Sequence, residues 1–186
     1  MTYVAFLRGV NVGGKGIVSM AAIKEALVAL GLSDVRTYIN SGNVIFSTRA
    51  SDPQQLTSRI EKALEQHTGM AIKVLVKDLK TLKKMVDAIP RNWVDDKTMR
   101  TYVLLLWNEL DDRGILDRLP NKPGVDELRY TPGAVVWRVD RVNVGKSQMN
   151  RIVGTPLYKK ITIRSANTVR KLNELTKAPT RLPAAD

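Results

Sequence analysis

The apolar positions of the first 78 residues predict strands and helices in a regular order. Residues 3–8, apolar as far as Leu7, are typical of a strand, and residues 20–30 repeat apolar side chains every three or four positions, as a helix does. Two short strands at 35–39 and 44–48 then flank a turn, and a second helix and a fourth strand follow. The predicted order is β-α-β-β-α-β, the ferredoxin-like unit.

The second half of the chain repeats this order. The run TYVLLL at 101–106 is similar to TYVAFL at 2–7, and a short helix near 111–119 and a second hairpin at 128–139 follow it. A short helix near 147–153, another strand and a last helix at 166–177 complete the repeat. We therefore predict an α+β fold of duplicated ferredoxin-like (βαββαβ) units with antiparallel sheets.

Four segments follow from this pattern. They are a ferredoxin-like domain with a Gly-rich loop at 1–78, a connecting helix and linker at 79–98, a second ferredoxin-like domain at 99–178 and a flexible tail at 179–186. Residues 4–7 are apolar at successive positions, so both faces of the first sheet require burial. We expect the other domain, or a second copy of the chain in a homodimer, to cover the second face.

Charge is unevenly distributed along the chain. The net charge is +12, and residues 128–186 alone hold twelve Lys or Arg against three Asp or Glu. Such a basic segment is typical of a protein whose partner is RNA, DNA or a phosphorylated ligand. The alternative is that scattered lysines only keep the surface soluble.

Composition removes several classes of function. The sequence has no cysteine and a single histidine, His67, which excludes disulfides and thiolate metal sites and argues against a zinc site. Its carboxylates show no spacing typical of an acid–base pair, so we assign no catalytic residue, no metal and no named cofactor. Apolar runs stay far below the roughly 18 residues of a membrane span, and the N-terminus lacks the features of a signal peptide. We expect a cytoplasmic protein without a membrane partner.

The stretch GVNVGGKG at 9–16 comes within one residue of the phosphate-binding pattern G-x-x-x-x-G-K-[ST]. Gly16 stands where that pattern needs a hydroxyl for Mg²⁺, and a β-α-β-β order does not provide the parallel sheet of such enzymes. The sequence therefore argues against a nucleoside triphosphatase. An anion-binding loop remains a hypothesis, and it would use these residues: Arg8, Asn11, Gly13, Gly14 and Lys15. The alternative is that the glycines only let the chain reverse.

Two other segments add candidate ligand-binding residues. Ferredoxin-like topology places the first strand–helix loop beside the hairpin, which brings Arg36, Ser41 and Asn43 into consideration. The alternative is that the hairpin side chains only satisfy their own backbone. Near the start of the last helix, three further candidates could hold an anion, or could simply cap and pack the helix: Arg164, Asn167 and Arg170.

Three segments carry a family resemblance. LRGVNVGG at 7–14, VRTYINSGNVIF at 35–46 and ITIRSANTVRKL at 161–172 resemble the bacterial family catalogued as domain of unknown function 1697. The resemblance implies two ferredoxin-like units, and it supplies no substrate or catalytic residue because the family's activity is not established. Near the C-terminus the family pattern is similar to Thr-Thr-Arg-Asn-Trp-Asn-Thr-Val, from which this chain departs at Ile163, Ser165 and Ala166.

Three functional hypotheses follow from the sequence. The first is a protein that binds a phosphorylated small molecule or another anion at the loop between the first strand and the first helix. The second is electrostatic binding of RNA through the basic C-terminal third. The third is a structural or oligomeric adaptor that has no small ligand. A catalytic function is the less favoured alternative, because no catalytic constellation is recognisable in the sequence.

Overall fold

Two four-stranded antiparallel sheets organise the chain in the computed structural model, which describes residues 1–11 and 17–177. The first half contains, in chain order, β1 Thr2–Leu7, α1 Met20–Ala29, β2 Ser33–Tyr38, β3 Asn43–Ser47, α2 Pro53–Thr68 and β4 Val74–Asp78. Helix α3, Leu79–Ala88, follows. The second half contains β5 Met99–Leu106, α4 Ile115–Arg118, β6 Asp126–Thr131, β7 Ala134–Asp140, β8 Ile161–Ser165 and α5 Ala166–Lys177.

Both sheets have the same strand order. It is β2-β3-β1-β4 in the first sheet and β6-β7-β5-β8 in the second, so the first strand of each repeat is central and pairs with the third and fourth. This is the order of a ferredoxin-like sheet. The predicted fold class, a duplicated α+β protein with antiparallel sheets, is confirmed.

The chain divides into two compact units. One consists of Met1–Leu79 with a segment that begins at Leu172, and the other is Lys80–Lys171. We call them the first and second unit. Each has its own hydrophobic core between a sheet and the elements that cover it. The predicted tail at 179–186 lies outside the described residues.

Helices α1 and α2 cover one face of the first sheet. Their buried side chains meet alternate residues of β1, and Tyr3 stacks on Phe46 with 5.8 Å between ring centroids. Local chemistry starts the helices where the sequence predicts. The Ser19 hydroxyl accepts the Ala22 amide at 3.0 Å, and the Asp52 carboxylate accepts the amides of the first turn of α2.

The opposite face of the first sheet is buried as well. Val4, Phe6 and Ile45 lie on it and are at most 1% exposed in the isolated chain. A sheet with two dry faces needs apolar residues at successive positions of its central strand, which is the pattern of β1. The successive apolar residues of β1 thus match the burial of both faces, and a homodimer stays a prediction.

The connection between β7 and β8 differs from the prediction. We expected a helix near 147–153, but the structure forms three separate 3₁₀ turns: Arg141–Lys146, Met149–Ile152 and Tyr158–Lys160. Two glycines, a proline and several valines interrupt helical spacing in this segment, and each lowers helix propensity. The corresponding connection in the first unit is the regular helix α2.

Asp126 ties this connection to the second sheet. Its buried carboxylate accepts four hydrogen bonds, from the Trp137 indole at 2.9 Å, the Ser147 hydroxyl at 2.5 Å, and the Gln148 and Lys122 amides at 3.0 and 2.9 Å. Burial alone raises the pKa of Asp126, but these donors outweigh it and hold the pKa below its ordinary value of 3.8. The carboxylate thus favours the folded state while it is ionised.

We expect Asp126→Asn to lower the free energy of unfolding by about 3 kcal/mol, because an amide nitrogen would meet donors where the carboxylate offers acceptors. The native pKa is depressed, so the contribution of Asp126 is complete above pH 3.8 and is lost as the pH falls below it through the native pKa. Urea unfolding at several pH values measures this. Asp117→Asn, at an exposed position of α4, is the control. Equal losses in both variants, or a difference that does not shrink in acid, would contradict the prediction.

Candidate functional site

The β1–α1 loop and the β2–β3 hairpin lie side by side in the first unit, as the topology predicts. The Leu7 amide donates to the Gly42 carbonyl at 2.8 Å, and the Asn11 side chain donates to the Asn40 carbonyl at 2.9 Å. We call this place, formed by residues 7–11, 17–20 and 39–43, the loop–hairpin corner.

The Asn11 side chain links the two ends of the β1–α1 loop. Its side-chain oxygen accepts the Val18 amide at 2.9 Å, and its side-chain nitrogen donates to the Val18 carbonyl at 3.0 Å as well as to Asn40. Asn11 adopts φ 54°, a left-handed conformation that asparagine tolerates better than most residues. The side chain therefore joins both ends of the loop to the hairpin.

A groove opens at the loop–hairpin corner, next to the N-terminus of α1. Its volume is about 540 Å³, and the described residues that line it are Asn11, Ile17, Val18, Ser19, Met20 and Asn40. Ile17 is 76% exposed, which is unusual for a large aliphatic side chain. The corner groove thus combines an apolar wall with amide groups and a helix N-terminus.

The hairpin side chains have structural roles at this corner. Asn43 is fully buried, and its amide donates to the Tyr38 carbonyl at 3.1 Å and to the Ser41 hydroxyl at 3.2 Å. Ile39 adopts φ 50°, which is strained for a β-branched residue, and it is 47% exposed. Of the two predicted hairpin ligands, Asn43 shapes the turn from inside and Ser41 is its partner.

The remaining predicted residues of the first unit are distributed as follows. Gly13, Gly14 and Lys15 lie outside the described residues. Arg8 is half-buried where β1 ends, and its backbone amide donates to the Lys73 carbonyl at 2.8 Å. Arg36 lies on β2 opposite Ile45, and its Nε is buried without a hydrogen-bond partner among the described residues.

The three candidates near α5 contact the second unit's own backbone. Arg170 donates to the carbonyls of Trp93 and Pro90, both at 2.9 Å, and Asn167 donates to the Asp95 carbonyl at 2.8 Å. These two side chains fasten the segment 90–95, and burial lowers the pKa of Arg170.

Arg164 is buried on β8. Its guanidinium donates to the Thr162 hydroxyl at 3.0 Å and the Ile163 carbonyl at 2.8 Å, and burial lowers its pKa to about 10. Each of the three cationic or amide side chains near α5 therefore has a defined contact within the second unit.

The second unit contains a counterpart of the loop–hairpin corner. Its Leu106 amide donates to the Gly133 carbonyl at 2.9 Å, the same bond that Leu7 makes with Gly42. Here, however, the Asp111 carboxylate closes the corner by accepting the Gly133 amide at 2.7 Å and the Tyr130 hydroxyl at 3.0 Å. Burial and the adjacent Asp111 carboxylate raise the pKa of Tyr130 to about 12.

The two corners also differ in loop length. The connection from β1 to α1 comprises residues 8–19 and contains four glycines, whereas the connection from β5 to α4 comprises residues 107–114 and contains only Gly114. The fold therefore accommodates a shorter loop with fewer glycines at this position.

Sequence reasoning missed four residues that line the corner groove: Ile17, Val18, Ser19 and Met20. These residues lie just before or at the start of the amphipathic helix α1, where apolar side chains ordinarily indicate core and a serine indicates a cap. Only their position in space shows that they line the groove. For Asn40 the sequence does give an indication, because this residue belongs to the polar turn between β2 and β3.

Over residues 1–11 and 17–177, no helix is long and apolar enough to cross a membrane. Within the same part of the chain, no group of three or more His, Cys, Asp or Glu side chains is arranged to hold a metal ion.

Fold and corner together define a duplicated ferredoxin-like α+β protein with one elaborated loop. The chain belongs to the family described as Protein of unknown function (DUF1697), whose model matches residues 1–137 and thus includes the loop–hairpin corner. A solved structure, the conserved bacterial protein SP0830 from Streptococcus pneumoniae, is 28% identical with a TM-score of 0.79, covering 94% of this chain and 97% of that one. No curated protein matches the sequence.

Gly42 provides a test of how tightly the loop–hairpin corner is packed. A Cβ at this position would lie 2.5 Å from Val10 Cγ2 and 2.7 Å from Leu7 Cβ. The φ angle of Gly42 is +77°. At Gly31 the φ is +84° but no atom lies within 4 Å of a new Cβ. Gly31→Ala therefore isolates the cost of the left-handed backbone, about 1 kcal/mol.

We expect Gly42→Ala to cost about 2 kcal/mol more than Gly31→Ala in chemical denaturation, because the added methyl overlaps two side chains of the corner. Equal losses of stability in the two variants would show that the loop and the hairpin are not packed against each other as described.

Proposed function

We propose that the protein is a cytoplasmic binding protein for a small phosphorylated molecule, held at the loop–hairpin corner. The observation that carries the proposal is the difference between the two corners of the duplicated fold. In the second unit a short loop is closed by Asp111, whereas in the first unit a longer, glycine-rich loop adjoins a groove. The loop of the first unit is longer and richer in glycine than a simple reversal of the chain at this position requires.

The phosphate group would sit at the N-terminus of α1. The helix dipole and the first-turn amides that Ser19 does not cap favour negative charge at this position, and Ser19 and Met20 of this helix end line the corner groove. The proposal also includes three residues of the Gly-rich segment at 9–16, on the basis of the sequence alone: Gly13, Gly14 and Lys15. Glycines let the backbone approach a phosphate closely, and the Lys15 ammonium supplies a positive charge.

The organic part of the ligand would pack on the apolar wall. Ile17 and Met20 provide this surface, and the Asn40 side chain, which makes no hydrogen bond with a described residue, is free to contact the ligand. Amides, a hydroxyl and aliphatic groups form the described lining, in contrast to the paired acid and base of a general acid–base catalyst. This chemistry supports binding rather than catalysis.

The test is thermal unfolding of the full chain with inorganic phosphate, AMP, ATP and glucose 6-phosphate as probes. A probe at one hundred times its Kd stabilises the folded state by about 2.7 kcal/mol, which raises the Tm of a protein of this size by roughly 5–10 °C. We expect such a shift in the wild type, a much smaller one in Lys15→Ala and Asn40→Ala, and the full shift in Lys24→Ala, which removes a charge from an exposed position of α1.

Two results would contradict the proposal. One is the absence of a shift with every probe. The other is an equal shift in Lys15→Ala and in the wild type, which would place the phosphate elsewhere on the protein.

A further inference from the structure

The connection between β7 and β8, residues 141–160, carries an unusual charge pattern. It contains five cationic side chains and neither Asp nor Glu: Arg141, Lys146, Arg151, Lys159 and Lys160. The equivalent connection of the first unit includes helix α2, in which acidic and basic residues are mixed. We call residues 141–160 the basic connection.

The basic connection is fastened to the second unit. The Asp126 carboxylate accepts the Ser147 hydroxyl and the Gln148 amide, and Ile152 is buried in the core of this unit. Met149, Leu157 and Tyr158 pack against the same core. Its cationic residues therefore lie on a segment that the second unit holds in place. A partner would bind to a segment whose backbone is already ordered.

Three of the five cations are available to a partner. Lys160 pairs with Glu109 at 3.3 Å, and Arg141 donates to the Asp96 carbonyl at 2.6 Å. Lys146, Arg151 and Lys159 are exposed and form no ion pair with any residue in the described part of the chain. Unpaired cations retain their full attraction for an external anion.

We propose that the basic connection binds a single nucleic-acid strand through its phosphates, without reading the bases. Successive phosphodiesters offer repeated negative charge, to which several exposed cations on one segment can bind at once. Base stacking needs an exposed aromatic ring, and Tyr158, the aromatic residue of the connection, is partly buried against the core. The proposal does not depend on a ligand in the corner groove.

Other polyanions fit this surface less well. An anionic bilayer is bound by an amphipathic helix with a continuous apolar face, but the basic connection consists of 3₁₀ turns of at most six residues. Its exposed apolar side chains, Val142 and Val153, stand eleven positions apart and in different turns. The major groove of duplex DNA is usually entered by a helix or a two-stranded ribbon, and the connection contains neither.

The test is fluorescence anisotropy with a labelled 16-nucleotide oligouridylate and the full-length protein, titrated between 50 and 300 mM salt. The first variant is Lys146→Gln with Arg151→Gln and Lys159→Gln. Its control is Lys24→Gln with Arg59→Gln and Lys62→Gln, which lowers the net charge equally at exposed positions of the first unit. Circular dichroism verifies that both variants keep the wild-type fold.

We expect the first variant to lose at least about tenfold in affinity at 100 mM salt. The slope of log K against log salt should also become shallower by about 2, because three single-strand phosphate contacts are removed. The control should keep the wild-type slope and bind within about threefold of the wild type. A DNA oligonucleotide of the same length should behave as the RNA does, since only phosphates are contacted.

Three outcomes would overturn the proposal. Equal losses in the two variants would show that net charge, rather than the basic connection, determines binding. An unchanged salt slope in the first variant would place the phosphates elsewhere. Tighter binding to phosphatidylserine vesicles than to the oligonucleotide, lost in the first variant, would assign the surface to a membrane.

Discussion

Each unit depends on a central strand that is hydrogen-bonded along both edges. β1 pairs with β3 and β4, and β5 pairs with β7 and β8, so neither strand can shift register without breaking two ladders at once. Burial on both faces adds to this constraint in β1. The ladders also end at the same point, where Leu7 and Leu106 donate to the carbonyl of a hairpin glycine. The two units therefore differ mainly in the connections that follow these hydrogen bonds.

The duplication shows where that variation has occurred. The loop after the first strand is elaborated in the first unit, with added length, glycines and a groove. The crossover before the last strand is altered in the second unit, where 3₁₀ turns rich in cations replace a helix. Each connection can thus be compared with its counterpart in the other unit. Both proposals rest on connections in which the two units differ. The sheet topology that the units share does not require these differences.

Much of the fold is readable from the sequence because its signals are local. Helix caps at Ser19 and Asp52, and the apolar central strands, follow from short-range chemistry and periodicity. The contacts of the candidate site residues are not local. Arg170 looks like an anion ligand near a helix start, but its partner carbonyl at Trp93 lies 77 residues away in the chain. Spacing cannot distinguish a guanidinium that holds backbone from one that awaits a ligand.

Asn11 changes the meaning of the near match to a phosphate-binding pattern. Gly16 and the antiparallel sheet both argue against the chemistry of nucleoside triphosphatases. Three hydrogen bonds of the Asn11 side-chain amide, two donated and one accepted, instead join the loop ends to each other and to the hairpin. The walls that Asn40 and α1 contribute to the groove are therefore aligned by bonds within the protein. A ligand need not supply free energy to assemble them, so a few contacts to a small molecule can suffice for binding.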